Sequence, residues 1–167
     1  MELLTVLRTA SLLHDSAREL TTLLDRHLAQ YDVTTQQAAL LVNLAAGETS
    51  PNRLATALGT DTAGMTRLLD RLEIKQLVHR RRSDTDRRAI VVEFTEAGQR
   101  LTPQLVPTFG YAADEMFTGI TESDIQHVGD VLTRAIANLR PINSRPASAT
   151  RFTGPATDSD AALPGEA

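Results

Sequence analysis

The spacing of apolar residues changes once in the middle of this chain, and that change limits the possible folds more than any other feature. Between Thr35 and about Lys75 the apolar residues recur every three or four positions, the period of one helix face. The runs Leu77–Val78 and Ala89–Phe94 are β-type instead, and the polar stretch 83–86 separates them. The middle of the chain therefore predicts helices followed by a two-stranded hairpin.

Capping signals divide the helical part into three helices. Each begins at a residue type that can accept hydrogen bonds from free backbone N–H groups, and two end at a glycine suited to the left-handed conformation. The expected spans are 35–46, about 52–58 and 61 to about 75, with starts at Thr34, Ser50 and Asp61 and stops at Gly47 and Gly59. Two short helices joined by a glycine-containing turn and followed by a hairpin indicate a winged helix-turn-helix, whose second helix enters the DNA major groove.

Long helices are expected on both sides of this unit. The apolar stripe from Leu3 to Leu28 predicts one helix, and it carries further leucines off that stripe, so we interpret it as a dimerisation helix. A helix beginning at Thr95 contains Pro103 and Pro107, where we expect a kink or a break. The last helix is expected to run from Thr121 and to stop at Pro141.

These elements predict a mainly α fold with a small β-hairpin wing, a winged helix-turn-helix with N- and C-terminal dimerisation helices. Residues 1–140 form one domain, in which 1–31 and 96–140 supply the dimerisation helices and 35–95 the DNA-binding part. Residues 141–167 hold four of the seven prolines and few large apolar side chains, which predicts a disordered tail.

Composition excludes several classes of function. The absence of cysteine excludes disulfides, thiol catalysis and thiol redox sensing. No apolar run approaches the ~20 residues that a bilayer span requires, and no secretory signal follows Met1, so we expect a cytoplasmic protein without membrane contact. No phosphate-binding glycine loop, nucleophile elbow or helical metal motif occurs, so we expect neither an enzyme nor a bound cofactor or metal.

The charge is distributed unevenly along the chain. The formal net charge is −4, but residues 53–88 hold nine basic and five acidic residues, which gives +4 there and leaves −8 elsewhere. A basic patch on an acidic body is typical of a protein with one face toward phosphate groups. A solvated run of charges is an equally acceptable interpretation of this feature alone.

Several motifs in the middle of the chain follow one another at the spacing of a known family. The motifs are Val33-Thr34-Thr35-Gln36-Gln37, Arg53-Leu54-Ala55, Met65-Thr66-Arg67-Leu68-Leu69-Asp70-Arg71-Leu72-Glu73, Leu77-Val78-His79-Arg80, Asp84-Thr85-Asp86-Arg87-Arg88-Ala89 and Phe94-Thr95-Glu96-Ala97-Gly98. In this order the chain resembles the MarR family of winged helix-turn-helix regulators, from about Leu3 to Arg140. The resemblance implies a homodimeric repressor on a pseudo-palindromic double-stranded DNA operator, which a small ligand, often an aromatic acid, releases. Gln76 departs from the family pattern, which has a glycine there.

The expected DNA contacts lie on the recognition helix and in the wing. Thr62, Ala63, Thr66 and Arg67 occupy the first turns of that helix, where Arg67 can reach guanine O6 and N7 and a small side chain can meet a thymine methyl. Thr62 can instead serve the helix start alone. Arg71 either contacts DNA or pairs with Asp70, Glu73 or a wing carboxylate.

In the wing, Arg88 matches the arginine that this family inserts into the minor groove, and Asp86 matches the carboxylate that orients it. A narrow minor groove concentrates negative potential that a guanidinium can use. The remaining arginines of this region are expected to contact DNA as well, mainly at phosphates, or to be solvated charges on a loop; they are Arg80, Arg81, Arg82 and Arg87.

The first helix carries two candidate residues for a ligand site. His14 and Arg18 flank the apolar stripe of the first helix and can anchor a carboxylate or phenolate, or they are ordinary surface residues with Arg18 paired to Asp15. The function that competes with DNA binding is a winged-helix module that docks another protein through its hairpin. A steep dependence of binding on salt distinguishes the two, because only the DNA-binding protein releases counterions from a nucleic acid.

Overall fold

The computed structural model describes residues 2–84, 86 and 88–143, and it confirms a mainly helical fold with one two-stranded antiparallel hairpin. The elements are α1 Leu3–Leu28, a short 3-10 turn at Ala29–Tyr31, α2 Thr35–Ala45, α3 Pro51–Ala57, α4 Thr62–Ile74, β1 Val78–Arg82, β2 Ile90–Phe94, α5 Glu96–Met116 and α6 Glu122–Asn143. The chain forms two compact units that divide after Thr118. The first holds α1 to α5 with the hairpin, and α6 lies in the second.

Side-chain caps begin most of the helices as the sequence indicates. Thr34 and Gln37 form a complete capping box, in which each side chain accepts the other residue's backbone N–H. Asp61 accepts the Gly64 N–H at 2.6 Å and begins α4. Ser50 stands before α3, but its side chain makes no cap; its own N–H instead donates to the Glu48 carboxylate.

The core of the first unit joins α1 to the helix-turn-helix and the hairpin. Its fully buried side chains come from five helices and both strands, and they include Leu28, Leu40, Leu41, Leu54, Leu69, Leu72, Val78, Val92 and Leu105. The buried side of α4 consists of the four residues that its periodicity predicts, Met65, Leu68, Leu69 and Leu72. Each such side chain contributes about 1.5–3 kcal/mol by burial, which fixes the opposite side of α4 toward the surface.

The hairpin is longer on its first strand than the residue types suggest. Val78 pairs with Phe94 and Arg82 with Ile90, so three consecutive arginines lie within β1 and not in a loop. Their strand conformation comes from pairing with the strongly β-type β2, which overrides the weak preference of β1 itself. The Val92 N–H also donates to the Thr49 carbonyl at 2.9 Å, which ties the hairpin to the connection between α2 and α3.

A kink or a break was expected at the two prolines of α5, and no break occurs, since one helix runs from Glu96 to Met116. Pro103 and Pro107 are four residues apart and both exposed, so they lie on the same solvent-facing side. The carbonyl groups that lose a helical N–H partner face water there, which can supply the missing donor.

The expected stop at Pro141 is also wrong, because α6 continues to Asn143. The φ angle of proline is compatible with a helix, and Pro141 lies only two residues before the helix end, where the loss of one backbone hydrogen bond is tolerated. The remainder of the tail that the sequence predicts to be disordered, 144–167, lies outside the described residues. Within the described residues, every helix is too short or too polar to span a lipid bilayer.

The exit from α4 uses a non-glycine residue in a conformation that favours glycine. Gln76 has φ +54°, while its N–H donates to the Glu73 carbonyl and the Leu77 N–H to the Leu72 carbonyl. A side chain in this region costs about 1 kcal/mol relative to glycine. The departure of Gln76 from the family pattern therefore places strain at this turn.

Replacing Gln76 with glycine is expected to raise the free energy of unfolding by roughly 0.5 kcal/mol, because relief of the strained φ angle exceeds the added chain entropy of glycine. Urea unfolding followed by circular dichroism measures the change. The same substitution at Gln104, in the middle of α5 and exposed, is the control and is expected to destabilise the protein. A loss of stability in both variants would refute the strain.

Candidate nucleic-acid interface

The predicted contact residues of α4 share one exposed side of the helix. Thr62, Ala63, Thr66, Arg67 and Arg71 are all exposed, while Met65 and the leucines of the same helix are buried. The Thr66 hydroxyl donates to the Thr62 carbonyl at 2.9 Å and keeps its lone pairs as acceptors. The side of α4 that faces solvent is therefore small, polar and basic, which suits a groove of DNA.

From the sequence, the lack of a side chain at Gly64 is expected to permit a close approach to DNA. In the structure, the space that a side chain would need is occupied by Thr60 and Asp61. A Cβ at this position would lie 2.2 Å from the Thr60 hydroxyl and 3.0 Å from the capping carboxylate of Asp61. The absence of a side chain at Gly64 thus leaves room for the helix cap, whatever the helix binds.

Arg67 and Arg71 are one helical turn apart and make no ion pair within the described residues. Asp70 and Glu73, which the alternative to DNA contact gave as partners of Arg71, are held by Arg80. Both guanidinium groups line a surface cavity of about 250 Å³, together with Gln36 and Thr60. Like charges one turn apart repel each other, so an anion in this place relieves an unfavourable arrangement.

In the wing, an aspartate organises the turn that carries the exposed Arg88. The Asp86 carboxylate accepts the backbone N–H of Arg88 at 2.9 Å, so it fixes the backbone and not the guanidinium. Arg82 and Arg88 are exposed and make no ion pair within the described part of the chain. Arg87 lies outside the described residues.

Arg81 is engaged within the hairpin. Its guanidinium lies 2.6 Å from the Glu93 carboxylate on β2 and 3.0 Å from Asp84. The hydrogen bond with Glu93 raises the pKa of Arg81, and the same contact lowers the pKa of Glu93. His79 lies 3.4 Å from Glu93 on the same outer face. Contact of Arg81 with phosphate thus competes with two carboxylates.

Arg80, also expected to contact DNA, points inward to α4. Its guanidinium donates to both Glu73 and Asp70, and its backbone N–H donates to the other oxygen of Glu73 at 2.8 Å. The hydrogen bond between the Arg80 and Glu73 side chains raises the pKa of Arg80 and lowers the pKa of Glu73. Arg80 and Glu73 therefore stay ionised across the neutral pH range, while the Asp70 carboxylate accepts from the same guanidinium.

A groove lies between the recognition helix and the wing. It has a volume of about 400 Å³ and is lined by the start of α3, by Thr62 and Thr66 of α4, and by Arg80 and Arg88. Thr62 and Thr66 form one of its sides, and Arg80 and Arg88 of the wing form the other. This arrangement can place a helix and a hairpin against adjacent parts of one polyanion.

Two aspartates near the end of α1 hold the helix-turn-helix at both ends. The Asp25 carboxylate accepts the N–H and the hydroxyl of Thr35, each at 2.7 Å, and so caps α2 from another element. Asp32 binds the Lys75 ammonium through its carboxylate at 3.0 Å and through its carbonyl. The sequence indicated neither contact, because each joins residues that are distant along the chain.

The proposed ligand anchors do not converge on a site within the described residues. His14 and Arg18 are both exposed on α1, and Arg18 pairs with Asp15 at 3.5 Å and Glu19 at 3.1 Å. This is the local ion pair that stood as the alternative. No group of three or more potential metal-binding side chains occurs in the part of the chain that is described.

Known proteins are similar to this region in sequence and in fold. The MarR family model matches residues 31–89. The Escherichia coli transcriptional repressor MprA is 25% identical over 89 residues, which are 53% of this chain and 51% of that protein, so the match spans about half of its length.

Two solved structures resemble nearly the whole of the described part. The crystal structure of transcriptional regulator PA3341 has a TM-score of 0.71 at 29% identity, covering 80% of this chain and 98% of that one. A mutant MarR from E. coli complexed with operator DNA has a TM-score of 0.71 at 24% identity, covering 81% and 99%. The second likeness shows a common fold, in a protein that was crystallised with DNA.

Proposed function

We propose that this chain is a MarR-family transcriptional regulator, which its match to that family's model over residues 31–89 and its likeness to PA3341 support, and that it binds double-stranded DNA in a sequence-specific manner as a homodimer. It acts as a repressor by occupying a pseudo-palindromic operator, and it performs no catalysis. The observation that carries this proposal is the exposed side of α4, where Thr62, Ala63, Thr66, Arg67 and Arg71 stand together over a buried leucine side.

Each part of the surface has a distinct role in this proposal. Arg67 reads a guanine edge in the major groove, and Thr66 and Ala63 contact neighbouring base edges. Arg71 and Arg82 contact phosphates, joined by Arg87 and, when it exchanges its carboxylate partners, by Arg81. Arg88 enters the minor groove from the turn that Asp86 fixes. The net charge of +4 over residues 53–88 supplies the attraction to phosphate.

A second copy of the chain completes the protein in this proposal. The first half of α1 leaves large apolar side chains exposed, among them Leu3, Leu4 and Leu7, and α6 separately exposes Val128, Ile136 and Leu139. Exposed apolar surface of this extent is typical of a protein interface. Two copies joined through these helices present two recognition helices to successive turns of a duplex, which matches the symmetry of a palindromic site.

The proposal includes a small effector molecule that releases the protein from DNA. A small aromatic acid is the class that the family resemblance implies, with His14 and Arg18 as the polar residues of α1 that can receive its carboxylate. Release of a protein–DNA complex by benzoate, and loss of that release in a His14→Ala variant, would support this part.

The experiment that tests the function is selection of bound fragments from genomic DNA of the source organism with the purified full chain. A recurring pseudo-palindromic sequence is expected, with binding that weakens steeply as salt rises. Absence of binding to every duplex at low salt would leave the protein-docking module as the function of this fold.

Arg88→Ala is expected to weaken operator binding by about 1–3 kcal/mol while leaving the fold intact, because it removes an exposed wing guanidinium that makes no ion pair within the described residues. Fluorescence anisotropy with a labelled operator measures the change. The matched control is Arg100→Ala on α5, which removes an exposed arginine that pairs only with Glu96 among the described residues. Equal effects of the two substitutions would remove the wing from the interface.

A further inference from the structure

Arg80, at the centre of β1, links the wing to the recognition helix through polar contacts, in addition to the apolar core that the two share. The Arg80 Nε donates to the Glu73 Oε2 at 3.1 Å, and Nη2 reaches both Glu73 and Asp70. The backbone N–H of Arg80 donates to Glu73 Oε1 at 2.8 Å. Both oxygens of Glu73 are thus used by one residue, through its side chain and its backbone, which fixes the strand and not only its side chain.

The burial of this contact separates it from ordinary surface ion pairs. The side chains of Arg80 and Glu73 are 29% and 30% exposed. Ion pairs in this setting are screened less by salt and hold a defined geometry, whereas exposed pairs contribute little. Asp70 and Glu73, three residues apart, face the same guanidinium, and they take up its Nε and Nη2 donors.

Because of where Arg80 lies in the hairpin, its contact with α4 affects the placement of Arg88. Arg80 is the central residue of β1 and pairs with Val92, which is fully buried and is itself bonded to Thr49. Arg88 lies at the far end of the same hairpin and lines the groove opposite Thr62 and Thr66. Loss of the contact at Arg80 would leave the outer part of the hairpin without its polar attachment to α4.

We infer that Arg80 is a positioning residue that contacts no DNA: with Glu73 and Asp70 it sets the separation between the exposed side of α4 and Arg88. This inference rests on the proposed function. It also explains why the recognition helix carries Glu73 and Asp70. Carboxylates on a helix that faces DNA repel phosphate, and here both hold the arginine that positions the wing.

The sign of the effect of Glu73→Gln tests the inference. Removal of a negative charge near DNA strengthens binding if electrostatics alone operates, whereas loss of the attachment weakens it. We expect Glu73→Gln to weaken specific binding about 5- to 20-fold, the range of coupling between groups of one network. Glu96→Gln, at a carboxylate that is 89% exposed on α5, makes the same change in charge and serves as the control.

Two further readouts separate positioning from mere stability. Arg80→Ala is expected to weaken specific binding with an unchanged salt slope, since no phosphate contact is lost. Arg88→Ala is expected to have a smaller effect in the Glu73→Gln background than in the wild type, because the misplaced wing has already lost its contact. Thermal unfolding of each variant verifies that the chain is folded at the assay temperature.

The inference is overturned if Glu73→Gln binds as tightly as Glu96→Gln, if Arg80→Ala lowers the salt slope by about one contact, or if the effects of Glu73→Gln and Arg88→Ala simply add. A failure of the proposed function is distinguishable, because the wild type then binds no duplex. In that case hydrogen exchange of the β1 and β2 amides still tests the attachment, and it is expected to accelerate in Glu73→Gln.

Discussion

Replacing Gly98 with alanine is expected to lower the free energy of unfolding by about 3 kcal/mol, near the upper end for an overpacked site. A Cβ at this position would lie 1.9 Å from the carbonyl oxygen of Leu77 and 3.0 Å from the Phe94 ring. The obstructing atom belongs to the backbone, so no change of side-chain rotamer can remove the clash.

The Leu77 carbonyl also has little freedom to move away. It accepts the Thr95 N–H at 3.1 Å, while the Thr95 hydroxyl donates to the Gln76 carbonyl and accepts the Gly98 N–H. This set of bonds joins the exit of α4, the entry to β1 and the first turn of α5. Displacement of Leu77 would therefore disturb the recognition helix and the wing together.

Chemical unfolding of Gly98→Ala and Gly110→Ala provides a matched comparison within α5. Nothing lies within 4 Å of a Cβ built at Gly110, so alanine there is expected to stabilise the helix by roughly 0.5–1 kcal/mol. Opposite signs for the same substitution would establish the close approach at Gly98. Similar effects at both positions would show that the backbone accommodates the added methyl group.

Replacing Leu7 with glutamate is expected to dissociate the proposed dimer and to reduce specific DNA affinity by on the order of 100-fold. Two linked reading heads, the DNA-binding parts at residues 35–95 of each copy, bind a duplex at least that much more tightly than one. Leu7 is 57% exposed in the single chain, on the same face of α1 as Leu3 and Ala10. A carboxylate buried there against a second copy would have no partner, which costs several kcal/mol.

Sedimentation equilibrium measures the assembly state, and anisotropy measures the affinity. Ser16→Glu is the control, because it adds the same charge nine positions further along α1, on the opposite side of the helix. A Leu7→Glu protein that remains dimeric would exclude this face of α1 from the interface. Dissociation of both variants would point to repulsion between charges and not to a specific apolar contact.

Local signals in the sequence were sufficient for the framework of the site. The Thr34–Gln37 capping box, the Asp61 cap and the positive φ of Gly47 concern residues within a few positions of each other, so their physics is visible in the sequence. The helical period of the apolar residues predicts the four buried positions of α4, and the opposite side of the same helix is then the exposed one.

Contacts between distant residues could not be predicted in this way. The partner of Arg80 was not evident because Glu73 becomes its neighbour only when the hairpin folds back onto α4. The length of β1 depends on pairing with β2, and the continuity of α5 depends on which side of the helix its prolines face. Arg80 therefore had the same description in the sequence as the exposed Arg82, although the two have different roles.

The Asp25 and Asp32 contacts have a mechanical consequence. Because they join the end of α1 to the start of α2 and to the end of α4, a tilt of α1 carries the whole reading head along as one body. In a pair of chains joined through α1, a change in the angle between them would alter the spacing of the two heads without rearranging either one. Since half-sites repeat every ~34 Å, a modest tilt would be sufficient to misalign one head from its groove.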